Sequence, residues 1–155
     1  MFSGCISLAS IDIPDGIKSL PSNCFKDCTS LTTIEFPTYL EGIESNAFGG
    51  CSSLAEIKLP ESVISLGSSV FSGCTSLVSL TLPDGIKAIP PYCFSGCSSL
   101  KSVDYPSSLE EIQSNAFLNC TGLTSIEIPT TVKTLSTEIF QGCESLQECV
   151  LHENI

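Results

Sequence analysis

The chain has 155 residues, with 17 acidic against 6 basic side chains and a formal net charge of −11. That balance excludes a phosphate-binding surface, which needs clustered Lys and Arg, so neither nucleic acid nor an anionic membrane is an expected partner. No apolar run approaches the ~18 residues of a spanning helix, so direct membrane insertion is not expected. The opening "MFSGCISLAS" has neither the basic region nor the long apolar region of a secretory signal. Met1 stands directly before a repeated phenylalanine, and the chain reads as cut from, or translated from, the middle of an array.

Phenylalanine falls at 2, 25, 48, 71, 94, 117 and 140, and cysteine follows three places later at 5, 28, 51, 74, 97, 120 and 143. A constant 23-residue interval marks a solenoid, in which each unit packs only on its neighbours. Residues 1–155 therefore read as a single repeat domain without a linker: six full units starting at 2, 25, 48, 71, 94 and 117, and a partial seventh at 140. Each unit follows F-x-x-C-x-x-L-x-x-I-x-L-P-x-x-I-x-x-L-x-x-x-x, as in "FGGCSSLAEIKLPESVISLGSSV".

Within each unit, L-x-x-I-x-L alternates apolar and polar residues and predicts a half-buried strand. In chain order the instances are "LASIDI", "LTTIEF", "LAEIKL", "LVSLTL", "LKSVDY" and "LTSIEI". The proline after each, at 14, 37, 60, 83, 106 and 129, has no N–H for a ladder and ends the strand. The I-x-x-L step beyond it, Ile17 with Leu20 or Leu109 with Ile112, suits a loose turn or a short second strand. That stretch is too short and too rich in Ser, Gly and Pro for a stable helix. A single unit has too small a core to stand alone, so stacked units lay their strands side by side and merge their apolar columns. The expected architecture is a right-handed coil with a parallel β-sheet on one face, irregular turns or short second strands on the other, and little α-helix.

These residues carry a family likeness. The L-x-x-I-x-L segment resembles the leucine-rich repeat consensus, and the unit with F-x-x-C and a strand-closing proline is similar to the BspA-like, Treponema-type class. The resemblance covers residues 2–151 in seven in-phase copies and departs in "FQGCESLQECVLHENI", where Cys149 replaces the strand isoleucine and His152 the proline. Those changes bear on the regularity of the final strand. The resemblance implies a leucine-rich repeat arc with its sheet on the concave face, a non-catalytic protein-binding module of the kind found in adhesin-type surface proteins of anaerobic bacteria and parasitic protists.

A longer period lies above the first. Units one and four share "PDGIK" and an extra cysteine, Cys24 and Cys93, while units two and five share "SNAF" and an L-E-x-I step, as though a three-unit block had been copied. Cys24 and Cys93 occupy the slot of Ala47 and Ala116 and read as small apolar residues; the sharper alternative makes "CFKDC" and "CFSGC" local redox pairs. The seven-residue column Cys5, Cys28, Cys51, Cys74, Cys97, Cys120 and Cys143 reads as a stack of buried, reduced thiols. Rungs about 4.8 Å apart do not by themselves forbid disulfides, but an odd column cannot pair completely. Reduced thiols point to a cytoplasmic compartment, whereas the family resemblance implies the cell surface.

Strand alternation turns the leucine and isoleucine columns inward and leaves two columns outward. The first is Asp12, Glu35, Lys58, Thr81, Asp104, Glu127 and Val150; the second is Ser10, Thr33, Glu56, Ser79, Ser102, Ser125 and Glu148. Like charges on neighbouring rungs, Asp12 beside Glu35 and Asp104 beside Glu127, are destabilising, and packing alone gives no reason to gather them. The candidate partner-binding residues on the concave face are Asp12, Glu35, Glu56, Lys58, Thr81, Asp104, Glu127 and Glu148, receiving a basic protein. The plainer alternative is that any soluble solenoid needs polar residues there. A calcium site between carboxylates is a third reading, without a D-x-D-x-D-G loop to support it.

No catalytic group, metal or cofactor is expected. The one histidine, His152, lies near the C-terminus and reads as a solvated tail residue without a triad partner. The glycine of "PDGIK" belongs to a turn and not to a phosphate loop, and cysteines without paired C-x-x-C spacing or histidines make a poor zinc site. The sequon Asn119-Cys120-Thr121 has its middle residue in the buried column and reads as a chance match. Finally, edges near Ile11 and Ile13 and near Cys149 carry no capping unit, which predicts either a longer parent array or end-to-end association of copies.

Overall fold

The computed structural model describes residues 1–153 and is a β-solenoid of about six turns, built from parallel strands, with no helix among the described residues. Six three-residue strands fall on the I-x-L segments of units one, two, four, five, six and seven: β1 (Ser10–Asp12), β3 (Thr33–Glu35), β6 (Ser79–Thr81), β8 (Ser102–Asp104), β10 (Ser125–Glu127) and β12 (Glu148–Val150). The two-residue strands β2 (Ser19–Leu20), β4 (Gly42–Ile43), β5 (Ser65–Leu66), β7 (Ala88–Ile89), β9 (Glu111–Ile112) and β11 (Thr134–Leu135) sit on the I-x-x-L step. Each pairs with its equivalent one unit away, Ser10 opposite Thr33 and Leu20 opposite Ile43, so one turn of the coil is one sequence repeat. β12 pairs with β10 in the same register, Cys149 opposite Ile126, so the divergent last unit keeps a regular strand.

A third ladder runs through the turns that carry the F-x-x-C motif. The amide of each core phenylalanine donates across to the following unit, as in Phe48 N to Val70 O at 3.0 Å and Phe71 N to Cys93 O at 2.9 Å. The amide two residues later does the same, as in Gly50 N to Ser72 O and Gly73 N to Ser95 O, both 2.7 Å. The chain bends through two left-handed residues per unit. At the second of them Gly73 has φ 73°, and the equivalent positions without glycine are Asp27 (φ 59°) and Asn119 (φ 56°), the residue types that tolerate this region best.

The core is a set of columns. Phe2, Phe25, Phe48, Phe71, Phe94, Phe117 and Phe140 stack ring on ring with centroids 5.3–5.9 Å apart, an offset-stacked spacing. Beside them Cys28, Cys51, Cys74, Cys97, Cys120 and Cys143 each donate the thiol to the carbonyl of the phenylalanine 26 residues earlier, at 3.1–3.2 Å. The phenylalanine carbonyl also closes its own turn, as Phe48 O does with Cys51 N at 3.1 Å, so the thiol fills the second lone pair of a buried acceptor. Cys28, Cys51, Cys74, Cys97 and Cys120 are buried, and Cys143 is half-buried. Cys5 departs from the expected buried column: it is exposed, because it lies in the first unit and no earlier phenylalanine carbonyl covers it. Among the described residues all ten cysteines are free thiols, Cys24 and Cys93 included, and both of those are buried.

Candidate functional site

The outward columns lie where strand alternation puts them. Asp12, Glu35, Glu56, Lys58, Thr81, Asp104, Glu127 and Glu148 are all exposed, while Leu80, Val103 and Ile126 between them are buried. Asp12 stands in register with Glu35 on paired strands, so two like charges share one ladder at the N-terminal end of the sheet. Asp104 and Glu127 do not: β8 and β10 form no ladder. Each of these two acids has another neighbour. Asp104 Oδ2 accepts from Thr81 Oγ1 at 3.0 Å, and Glu127 Oε1 lies 3.5 Å from His152 Nε2. His152 is half-buried against the sheet instead of being a solvated tail residue, since the strand before it is paired and delivers it there.

The sheet face is therefore not continuous. Its ladders join β1 to β3, β6 to β8 and β10 to β12, and the strand segment of unit three pairs with neither neighbour as a strand. Where rungs are closed, Thr32 N donates to Ala9 O at 2.9 Å and Ile13 N to Glu35 O at 3.0 Å. At the junction of units two and three, and again at units five and six, the equivalent amides of Ala55, Phe36, Thr124 and Tyr105 reach no backbone acceptor.

Two inward aromatic side chains stand at these two junctions. Phe36 and Tyr105 are the aromatic members of a column otherwise made of Ile13, Leu59, Leu82, Ile128 and Leu151. Phe36 leans into unit three, its ring edge-on to Phe48 at 6.0 Å and 88°. Tyr105 leans toward unit six, where burial pushes its phenol above its ordinary range, with the Cys149 and Cys120 thiols adding to the rise. Its hydroxyl is buried without a hydrogen-bond partner. A ring is bulkier than the leucine or isoleucine of the other rungs, but unit three also forms no ladder with unit four, where the inward residue is Leu59.

Each opening forms a cleft on the sheet face. One, of about 610 Å³, is lined by Thr33, Glu56, Lys58, Glu61, Ser79 and Thr81 among others. The other, of about 650 Å³, is lined by Lys101, Asp104, Tyr105, Glu127, Glu148 and Val150 among others. The two are 69 residues apart in sequence, three units, as are Phe36 and Tyr105. Reading the columns one unit at a time missed these two residues. The signal was present in the aromatic ends of "LTTIEF" and "LKSVDY", at the three-unit period already visible elsewhere.

The chain matches the family described as BspA type leucine rich repeat region (6 copies) over residues 1–103 and 67–155. It belongs to that family. Among solved structures, this BspA-type array is similar to a leucine rich cell surface protein from Faecalibacterium prausnitzii A2-165, with 32% identity, a TM-score of 0.84 and 94% of this chain covered. The T. pallidum leucine rich repeat protein has 32% identity and a TM-score of 0.82 over 94% of this chain. A leucine-rich repeat protein from Bacteroides ovatus has 25% identity and a TM-score of 0.68 over 99% of it. This chain spans 41%, 68% and 52% of those three proteins respectively. No curated protein sequence matches it.

Leucine-rich repeat modules of this class are generally non-catalytic and typically mediate protein–protein interaction. The buried thiols of the BspA-type array are poor nucleophiles for the same reason that they pack well: burial pushes Cys51 and Cys120 up to about 12 and Cys24 to about 11.

Proposed function

We propose that the array is a non-catalytic protein-binding module of an adhesin-type surface protein, and that it receives a basic partner on its acidic sheet face. The observation that carries this reading is the exposed outward column of paired strands, in which acids outnumber bases on a rigid, solvated surface. An acidic face of this kind steers cationic partners and suppresses anionic ones. The likeness to a protein named as a cell surface protein supports the surface assignment.

The triple variant Glu35→Lys, Asp104→Lys, Glu127→Lys changes only exposed side chains and leaves the core columns intact. A partner captured by the wild-type array and purified should bind the variant about tenfold or more weakly, with unchanged circular dichroism and melting temperature. Equal affinity for both proteins would sink the acidic-face reading.

A second reading, an intracellular scaffold or regulator using the same face, is favoured by the ten free thiols. Thiol titration of denatured material from the native source separates the two: ten free thiols support the intracellular form, and extensive disulfides support export.

A further inference from the structure

Among the described residues, the junction of units three and four is the one place where the sheet ladder and the second ladder are both open. Unit three pairs with neither neighbour on the sheet, and the second ladder divides there into β2-β4-β5 and β7-β9-β11. Three residues coincide at this opening. Pro90 has no N–H, whereas its equivalents Glu44, Gly67, Gln113 and Ser136 each donate to the preceding unit at 2.7–3.0 Å. Gly85 has no hydroxyl where Ser62 and Ser108 donate to Leu40 O and Ile86 O of the preceding unit, at 2.6 and 2.7 Å. Ile64 is apolar and exposed in the column whose charges pair elsewhere as Lys18–Glu41 and Lys133–Glu110. Away from the F-x-x-C edge, a single main-chain bond crosses among the described residues, Val78 N to Ala55 O at 3.2 Å.

The F-x-x-C edge itself stays closed on both sides of the opening, with Gly50 N to Ser72 O at 2.7 Å before it and Phe71 N to Cys93 O at 2.9 Å after it. Leu54, Val63, Leu77 and Ile86 are all buried, so the apolar columns run through without a gap. We propose that this junction is a built-in joint: units one to three and units four to seven turn as two blocks about the closed F-x-x-C edge, and the arc changes its curvature there. Each unit of an array is held by its neighbours alone, so local opening concentrates at the interface with the fewest bonds. The sheet also opens between units two and three and between units five and six, but there the second ladder is closed, β4 to β5 and β9 to β11, and holds the rung. A hinge needs only a few residues to absorb the change, and the continuous core keeps the two blocks in contact as it moves.

The test places spin labels, under native conditions, on the two exposed native thiols, Cys5 in unit one and Cys149 in unit seven, which lie on opposite sides of the joint. Pro90→Ser gives unit four the residue of unit six and restores the missing amide. The distance distribution read by pulsed electron paramagnetic resonance should be about twofold broader in the wild type than in Pro90→Ser. Ile64→Glu, an exposed change that sets an acid in register with Lys87, should narrow the distribution too, and it leaves the core untouched if Pro90→Ser folds poorly. In parallel, the wild-type amides of Lys87 and Ala88, which reach no backbone acceptor, should exchange about 100-fold faster than those of Glu110 and Glu111, which donate to Lys87 O. Equal widths in the wild type and both variants overturn the joint, even with fast exchange at Lys87, because fast exchange alone reports an open rung and not a moving one. Exchange at Lys87 and Ala88 as slow as at Glu110 and Glu111 overturns it as well.

Discussion

The thiol of Cys74 donates to the carbonyl oxygen of Phe48 at 3.2 Å, and the same bond recurs from Cys28 to Cys143. The F-x-x-C motif thereby joins consecutive turns: phenylalanine supplies the stacked ring and the acceptor, and the cysteine of the next turn supplies a small side chain with one weak donor. Cys74→Ala should cost about 1–3 kcal/mol, from the cavity and the carbonyl left half-satisfied, while Cys5→Ala should cost under about 0.5 kcal/mol. Urea titration of both variants checks the contrast. Equal losses would show that the column is not held through this bond.

The same geometry ranks the cysteines by reactivity. With a thiol reagent under native conditions, exposed Cys5 and Cys149 should react first, half-buried Cys143 next, and the remaining seven only on unfolding. Mass spectrometry of a labelling time course reads the order directly. Early labelling of Cys24 or Cys93 would revive a reactive role for "CFKDC" or "CFSGC".

Alkali should unfold the array. Burial raises Cys51 and Cys120 to about 12 in the folded state from an ordinary value of 9.0. Between those values the folded chain holds protons that the unfolded chain releases, so stability is intact below about pH 9 and falls as pH rises toward 12. Each such thiol steepens the fall by up to about 1.4 kcal/mol per pH unit. Melting temperatures measured from pH 8 to 11 should decline with accelerating slope; a flat profile would contradict the buried column.

On the sheet, Asp12 and Glu35 face each other in register. Asp12→Lys should therefore stabilise the fold by about 0.2–1 kcal/mol at low ionic strength. The gain should shrink in high salt, because the pair is solvent-exposed. Thermal melts at two salt concentrations decide it.

Close approach of the backbone predicts a further sensitive point. A Cβ at Gly67 would lie 2.3 Å from the amide nitrogen of Ser45 in the preceding turn. That neighbour is main chain and cannot rotate away, so Gly67→Ala should destabilise by about 1–3 kcal/mol. Gly4→Ala meets no atom within 4 Å, and its cost should come from backbone conformation alone.

Much of the architecture was legible in the repeat line. L-x-x-I-x-L located strands in five of its six segments, the prolines marked their ends, and the I-x-x-L step located the short second strands; the divergent seventh segment forms β12 as well. Periodicity could do this because every unit meets nearly the same surroundings as its neighbours. It failed where surroundings differ. Cys5 belongs to the thiol column by type but has no earlier turn to cover it, and His152 looked like a tail residue but is carried back to Glu127 by a paired strand. Unit three has the strand pattern "LAEIKL", yet forms no strand with either neighbour, although an aromatic of that column, Phe36, stands only on its unit-two side.

By itself the sequence determined the 23-residue rung, the identity of the core columns and the acidic character of the outward face, since alternation and burial act on each unit alike. Tertiary structure alone decided which rungs close. That outcome depends on contacts between residues of different units, such as the edge-on approach of Phe36 to Phe48, which no single unit's pattern contains.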